Sequence, residues 1–446
     1  MKRILAAILT AVLCLSGNLW AYSGGAGTPE SPYQIATVAD FQKLSTTPTD
    51  WSFSFILTAN ISLTDLPFAQ APIAPDTGTT TGFQGTAFTG AFDGNGYTVS
   101  HLTIATSTKD YIGLFGRVGA GGRIHNLAIE NVAITGDDYV GGLAGWNDSG
   151  AMTFCHMTGS VGGDSYVGGL TGNNSGSGSL ANCYAAGSVN GINGVGGLVG
   201  WNSYGSLTDC YATGSVGGTN GIGGLTGWNS HGPITACYAV GSVSGTNGVG
   251  GLAGQNDFDT IIGCFWDTQT CLPVTAGVGE GVSAGVTGKT TAEMKTLSTF
   301  TDADWDFANT WWMPAENYPR LISFHGTFTL TLQTEPSFIT SVTPSVGPHA
   351  VYGVVNLSAT SFSQCPDEYQ FDRWEGGAED PDSASTSVLM TSNKTLTAVF
   401  TLVTPACGDK CHPCPTMDFN RDCRVGLADF AMFTAHWMEC TAPDCD

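Results

Sequence analysis

The residues whose spacing speaks most directly of chemistry lie near the C-terminus. Asp418, Asn420, Asp422, Arg424 and Asp429 stand at positions 1, 3, 5, 7 and 12 of a loop that runs into Leu427, Phe430, Phe433 and Trp437, an amphipathic helical pattern. Hard oxygen ligands at that spacing suit Ca²⁺, so the sequence predicts a calcium loop in the tail, with a disulfide-tied acidic loop as the alternative. Cys423 occupies the place where a glycine normally makes the sharp turn, and Gly426 supplies no side-chain ligand at position 9. Just upstream, Cys407, Cys411, His412 and Cys414 have a spacing that zinc can use. Six cysteines crowd the last forty residues, and in an exported chain that crowding favours disulfides, whose pairing the sequence leaves open.

A second set of residues recurs instead of clustering. Cys155, Cys183, Cys210, Cys237 and Cys264 come once per 27 or 28 residues, and each of the middle three precedes a tyrosine: Tyr184, Tyr211 and Tyr238. Trp146, Trp201 and Trp228 keep the same beat, with Asn173 and Gln255 in the equivalent places. Strand alternation that turns Cys210 and Ala212 inward turns Tyr211 outward. Stacked tyrosines and tryptophans then form a candidate ligand face able to seat sugar rings, or a mutually packed structural stripe. The cysteines read as buried thiols acting as small hydrophobes.

The element that must position these residues is a repeat. Residues 196–222 and 223–249 differ at eight of twenty-seven positions, and equivalent leucines fall at Leu114, Leu143, Leu170, Leu198, Leu225 and Leu252. A period in the twenties built from short β-prone runs separated by Gly, Asn and Ser predicts an all-β, parallel β-solenoid with one coil per repeat. Matching residues of successive coils then lie about 4.8 Å apart, so each interior position becomes a ladder of like side chains. This accounts for the absence of Lys and Arg between Arg123 and Lys289, since like charges at that spacing repel. Glycine is expected at the corners, where positive φ is required.

The "GLAG", "GLTG" and "GLVG" units at 142–145, 169–172, 197–200, 224–227 and 251–254 resemble the GLUG-motif repeats of bacterial secreted and surface proteins. "YSGGAGTPESPYQIATVADFQKL" and "CFWDTQT" through "NYPRL" are similar to the segments that flank such arrays. Residues 324–403, with "FDRWEGGAEDPDSASTSVLMTSNKTLTAVF", resemble a divergent internalin-type B repeat, and Trp374 is expected in its core. The tail from 404 to 446 resembles a type I dockerin, although one loop-helix unit is visible where dockerins have two. These resemblances imply a solenoid over 22–323, a β-rich stalk module, and a tail for attachment to a cohesin-like partner. They imply a structural or adhesive role with an extracellular glycan or surface protein as ligand.

Composition narrows the function classes. Fourteen basic against thirty-seven acidic residues leave a net charge of −23, which repels nucleic acid and anionic membranes. Lys2, Arg3, an apolar run and Ala21 read as a signal peptide over 1–21, which implies a secreted or cell-surface protein. No later run has the length of a membrane span. A solenoid lyase or glycosidase needs clustered carboxylates with a cation to hold charge. Here the acids (Asp148, Asp164, Asp209, Asp257, Asp259, Asp267) are scattered through the array. No histidine opens the His-Glu-x-x-His of a zinc peptidase, and the Gly-x-Ser-x-Gly at 281–285 has no helical pattern after it. The sequence therefore favours a non-enzymatic protein. A carbohydrate-binding component of a polysaccharide-degrading assembly comes second, and a polysaccharide-active enzyme third.

Overall fold

Each repeat is one coil of four or five short strands, and coil follows coil in parallel register. The structure, a computed structural model, describes residues 22–258 and 261–324, the strand-bearing stretches between 327 and 403, and residues 425–439. The signal-peptide expectation at 1–21 and most of the tail lie outside the described residues. Within the solenoid the strands assemble into sheets of five, seven, nine and thirteen strands, and the seven-stranded sheet is a stack of seven successive coils. Register is exact to the residue: Val199 pairs with Thr226, Trp201 with Trp228, Leu207 with Ile234, and Tyr211 with Tyr238.

The interior is made of the predicted ladders. All six equivalent leucines from Leu114 to Leu252 are fully buried, as are the five recurring cysteines. Burying one such leucine is worth about 2 kcal/mol. The glycines of the repeat let coils touch backbone to backbone: a Cβ on Gly197 would lie 2.1 Å from the carbonyl oxygen of Gly224. Corners depart from expectation, because glycine does not hold them alone. Tyr139, Tyr166, Phe154, Asn182, Asp209, Tyr204 and His231 all carry φ between 52° and 67°. Left-handed backbone in a non-glycine residue costs of order 1 kcal/mol or more, and here it persists because pairing on both sides of the corner fixes it.

Both ends are closed. Helix α1 (Val38–Thr46) covers the first coil with Phe41 and Leu44, and it starts from a Thr37/Asp40 capping box. Asp40 is buried, which alone would raise its pKa, but hydrogen bonds from Ser23, Thr37 and the Ala36 amide hold the carboxyl below its usual range. At the far end Trp266 takes the place that Ala185, Ala212 and Ala239 hold in earlier coils and plugs the core. Two short helices, α2 (Thr291–Met294) and α3 (Leu297–Thr301), follow, and Met294 and Phe300 are buried.

A second compact unit begins at Ile322. It contains a five-stranded sheet and a three-stranded sheet, with Trp374, Leu330, Val388, Leu396 and Ala398 buried. Helix α4 (Leu427–Glu439) occupies the amphipathic stretch of the tail.

Candidate functional site

The cysteine ladder is a set of free thiols. Each sulfur donates to the carbonyl two residues earlier, as from Cys210 to Thr208 at 3.2 Å, and the sulfurs of Cys183, Cys237 and Cys264 accept a cysteine amide from the coil before, as from Cys210 N to Cys237 Sγ at 3.4 Å. Burial pushes the Cys183 and Cys237 thiols well above the usual range, so they stay protonated at neutral pH.

The tyrosine column exists, and most of it is covered. His156, Tyr184, Tyr211 and Tyr238 stack with ring centroids 4.7, 4.7 and 5.0 Å apart and planes within 6° of parallel. Ring faces are spent on one another, which leaves edges for any visitor. The closing segment then lies over the column. Trp311, fully buried, sits 6.0 Å from both Tyr211 and Tyr238 and donates its indole N–H to Asp209 at 2.9 Å. Tyr238 donates to the Pro319 carbonyl at 2.6 Å, Trp305 to Gly263 at 2.8 Å, and Tyr318 to Asp267 at 2.7 Å. Tyr211 is 7% and Tyr238 1% exposed, so the expectation that they form a sugar-binding surface is corrected; Tyr184 is half-buried. Alternation does turn these side chains away from the core, but a segment distant in sequence covers them, and repeat periodicity carries no sign of it.

Trp146, Trp201 and Trp228 stand half-exposed on the seven-stranded sheet. They have partners that the sequence reading missed. Tyr111, Tyr139 and Tyr166 form a second column, 4.9 Å from ring to ring, and its members stack on Trp146 (from Tyr111, 5.7 Å) and Trp201 (from Tyr166, 5.0 Å). Burial, then the neighbouring phenols, push Tyr139 up to about 12. In later coils the tyrosine position is taken by Gly194, Gly221 and Gly248, and the Trp228 indole settles where a Gly221 Cβ would be, 1.8 Å from it. The recurring "DYVGG" and "SYVGG" against "NGVGG" was the available signal.

Also missed was a buried asparagine ladder. Asn147, Asn174, Asn202, Asn229 and Asn256 pass side-chain amide hydrogen bonds from coil to coil at 2.8 Å, and several also donate to the corner carbonyl, as from Asn202 to Gly205 at 2.9 Å. At the N-terminal end the coil neighbour of Asn147 is Val118, which leaves the Asn147 side-chain oxygen without a partner.

Four of the scattered acids have side-chain partners within the fold. Asp148 pairs with Arg117, Asp209 receives Trp311, Asp257 receives Ser230 and Gln255, and Asp267 receives Thr291 and Tyr318. Asp164 caps no side chain but accepts two backbone amides through its carbonyl; Asp259 lies outside the described residues. Ser283 of the Gly-x-Ser-x-Gly sequence sits in the loop between strands Val278–Gly281 and Val286–Lys289, with no helix directly after it.

Of the residues expected to form a calcium loop, Asp418, Asn420, Asp422 and Arg424 lie outside the described residues, as do the six tail cysteines. Asp429 is 2% exposed in the first turn of α4 and accepts the Gly426 amide at 2.8 Å. Leu427 and Phe430 of the same helix are exposed.

The fold and its ladders define a parallel β-solenoid followed by a β-rich module. Residues 191–217 match the family described as the GLUG motif, and residues 330–404 match the divergent InlB B-repeat domain. Over 151 residues the chain is 38% identical to halomucin of Haloquadratum walsbyi, covering 32% of this chain and 2% of that protein. Over 129 residues it is 32% identical to a protein described as a Gly-rich membrane protein of Evansella cellulosilytica, covering 28% and 14%. The chain thus spans a small fraction of the curated relatives it matches. A crystal structure of a candidate immunoglobulin A1 protease from Bacteroides ovatus shares the fold at a TM-score of 0.51 and 20% identity, covering 68% of this chain and 95% of that one. No helix among the described residues is long and apolar enough to cross a membrane.

Proposed function

We propose that the chain is a non-enzymatic structural or adhesive protein of the cell exterior, a solenoid displayed through its dockerin-like tail. The observation that carries this reading is the unbroken register of coils from 138 to 256, along which the carboxylates of Asp138, Asp148 and Asp209 are engaged by the fold. A polysaccharide-cleaving site on such a stack requires a break where catalytic groups can gather. Similarity to a halomucin and to a Gly-rich membrane protein supports a surface setting. The tail binds Ca²⁺ through Asp418, Asn420, Asp422, the Arg424 carbonyl and Asp429, and that ion orders the loop that presents α4 to a cohesin-like partner.

A second reading, a carbohydrate-binding component of a degrading assembly, is favoured by the half-exposed Trp146, Trp201, Tyr139 and Tyr166. Calorimetry of the full chain with Ca²⁺, followed by capture from the native secretome with and without chelator, tests the display role. Calcium binding with chelator-sensitive capture is expected; absence of either overturns display. Release of reducing ends from a polysaccharide panel overturns the non-enzymatic reading.

A further inference from the structure

A groove of about 470 Å³ opens on the outer face of the nine-stranded sheet near its N-terminal end. Its floor is formed by three adjacent strands, Ser54–Leu57, Ala91–Asp93 and Arg123–His125. Register aligns Ser54, Ala91 and Arg123 in one row and Asp93 with His125 in the next. The two rows stand about 6.6 Å apart along the parallel strands, and neighbours within a row about 4.8 Å apart. Pro32 forms part of the wall, and Gly90 and Gly121 keep the rim low.

The charges in this groove are arranged unlike those elsewhere on the solenoid. Arg117, the next cation upstream, is closed by its pair with Asp148 and lies 4.4 Å over Trp146. Arg123 is exposed and has no ion-pair partner among the described residues. Beside it Asp93 holds His125 at 3.4 Å through one carboxylate oxygen. The other oxygen takes the Asn95 amide at 2.7 Å and the Asn126 side chain at 3.3 Å. The carboxylate is thus fixed in place by the fold, and the guanidinium is left open toward the groove. In a chain of net charge −23 an open arginine at a concave site marks a place for an anion, and guanidinium geometry suits a carboxylate bound through two parallel hydrogen bonds.

We propose that this groove binds an acidic sugar unit, with its carboxylate on Arg123, its ring over Ala91, and its hydroxyls shared among Asp93, His125 and Ser54. One anion receptor at one end and several hydroxyl partners around a small flat floor match a hexuronate ring. The site stands apart from the display role, since none of its residues belongs to the tail or the aromatic columns.

The test uses the full chain and the monosaccharides D-glucuronate and D-galacturonate, followed by saturation-transfer NMR, with glucose, galactose, acetate and glycylglycine as controls. At least one uronate is expected to bind about tenfold more tightly than its neutral hexose, and Arg123→Gln to remove that advantage while the circular dichroism stays unchanged. Ala91→Leu, which fills the floor, is expected to abolish binding of both. Equal binding of uronate and hexose, unchanged uronate affinity in Arg123→Gln, acetate matching the uronate, or a stronger response to glycylglycine would each overturn the assignment. So would no response to either uronate at millimolar concentration.

Discussion

At the scale of single residues, the asparagine ladder sets the stakes of substitution. Asn202 accepts from Asn174 and donates to Asn229 and to the Gly205 carbonyl, all within the core. Asn202→Ala therefore strands three buried polar groups at once, and each unpaired group costs about 1–3 kcal/mol. A loss of at least about 3 kcal/mol is expected, read from the shift of the urea midpoint at constant slope. Cys210→Ala serves as the comparison, since it removes weak sulfur hydrogen bonds and a small volume; equal losses in the two variants would reduce the ladder to ordinary packing. The recurrence of Asn after Trp146, Trp201 and Trp228 was visible in the sequence, whereas its inward orientation was not. An asparagine in a polar repeat reads as surface until register shows that its neighbours above and below are also asparagines.

At the scale of elements, the closing segment decides what the solenoid shows to solvent. Trp311 seals Tyr211 and Tyr238, and truncating a fully buried tryptophan costs about 3–5 kcal/mol. Trp311→Ala is therefore expected to lower stability by that order and to let the phenols ionise at lower pH, as followed by ultraviolet difference spectroscopy. In the native chain burial pushes Tyr184 up to about 12, and burial with the Asp267 hydrogen bond does the same to Tyr318. An unfolded tyrosine titrates near 10, so above that pH the unfolded state releases protons that the folded state keeps. Stability is then intact below about pH 10 and falls as pH rises toward 12, and Trp311→Ala is expected to flatten that fall. An alkaline profile identical in the two proteins would disconnect Trp311 from the column. The coil, its strands and its inward leucines and cysteines were legible because each recurs at fixed phase. The seal was not, because Trp305, Trp311 and Tyr318 occur once each and their partners lie about a hundred residues or less upstream by no periodic rule.

At the scale of the whole chain, stacking makes each coil depend mainly on the two it touches. A second copy of residues 196–222 inserted between Val195 and Gly196 keeps every ladder in phase and leaves the coils beneath the closing segment untouched. It is expected to fold as one further coil, with added β-sheet ellipticity and hydrogen-exchange protection across the new residues. An insertion of half that length throws leucine onto the corner and asparagine onto the surface, and is expected to expose the array to proteolysis. Should both insertions behave alike, register would not be what holds the stack.

The closing segment is anchored to the side chains of Asp209, Tyr238 and Asp267 and to the Gly263 carbonyl, and the first two of these lie in the near-identical stretches 196–222 and 223–249. Unequal recombination that duplicates one such stretch lengthens the gene by a whole floor and leaves the coils that carry Asp209 and Tyr238 in place. The chain can therefore evolve its reach in fixed increments of about 4.8 Å, like a telescoping rod whose end fitting is never remade.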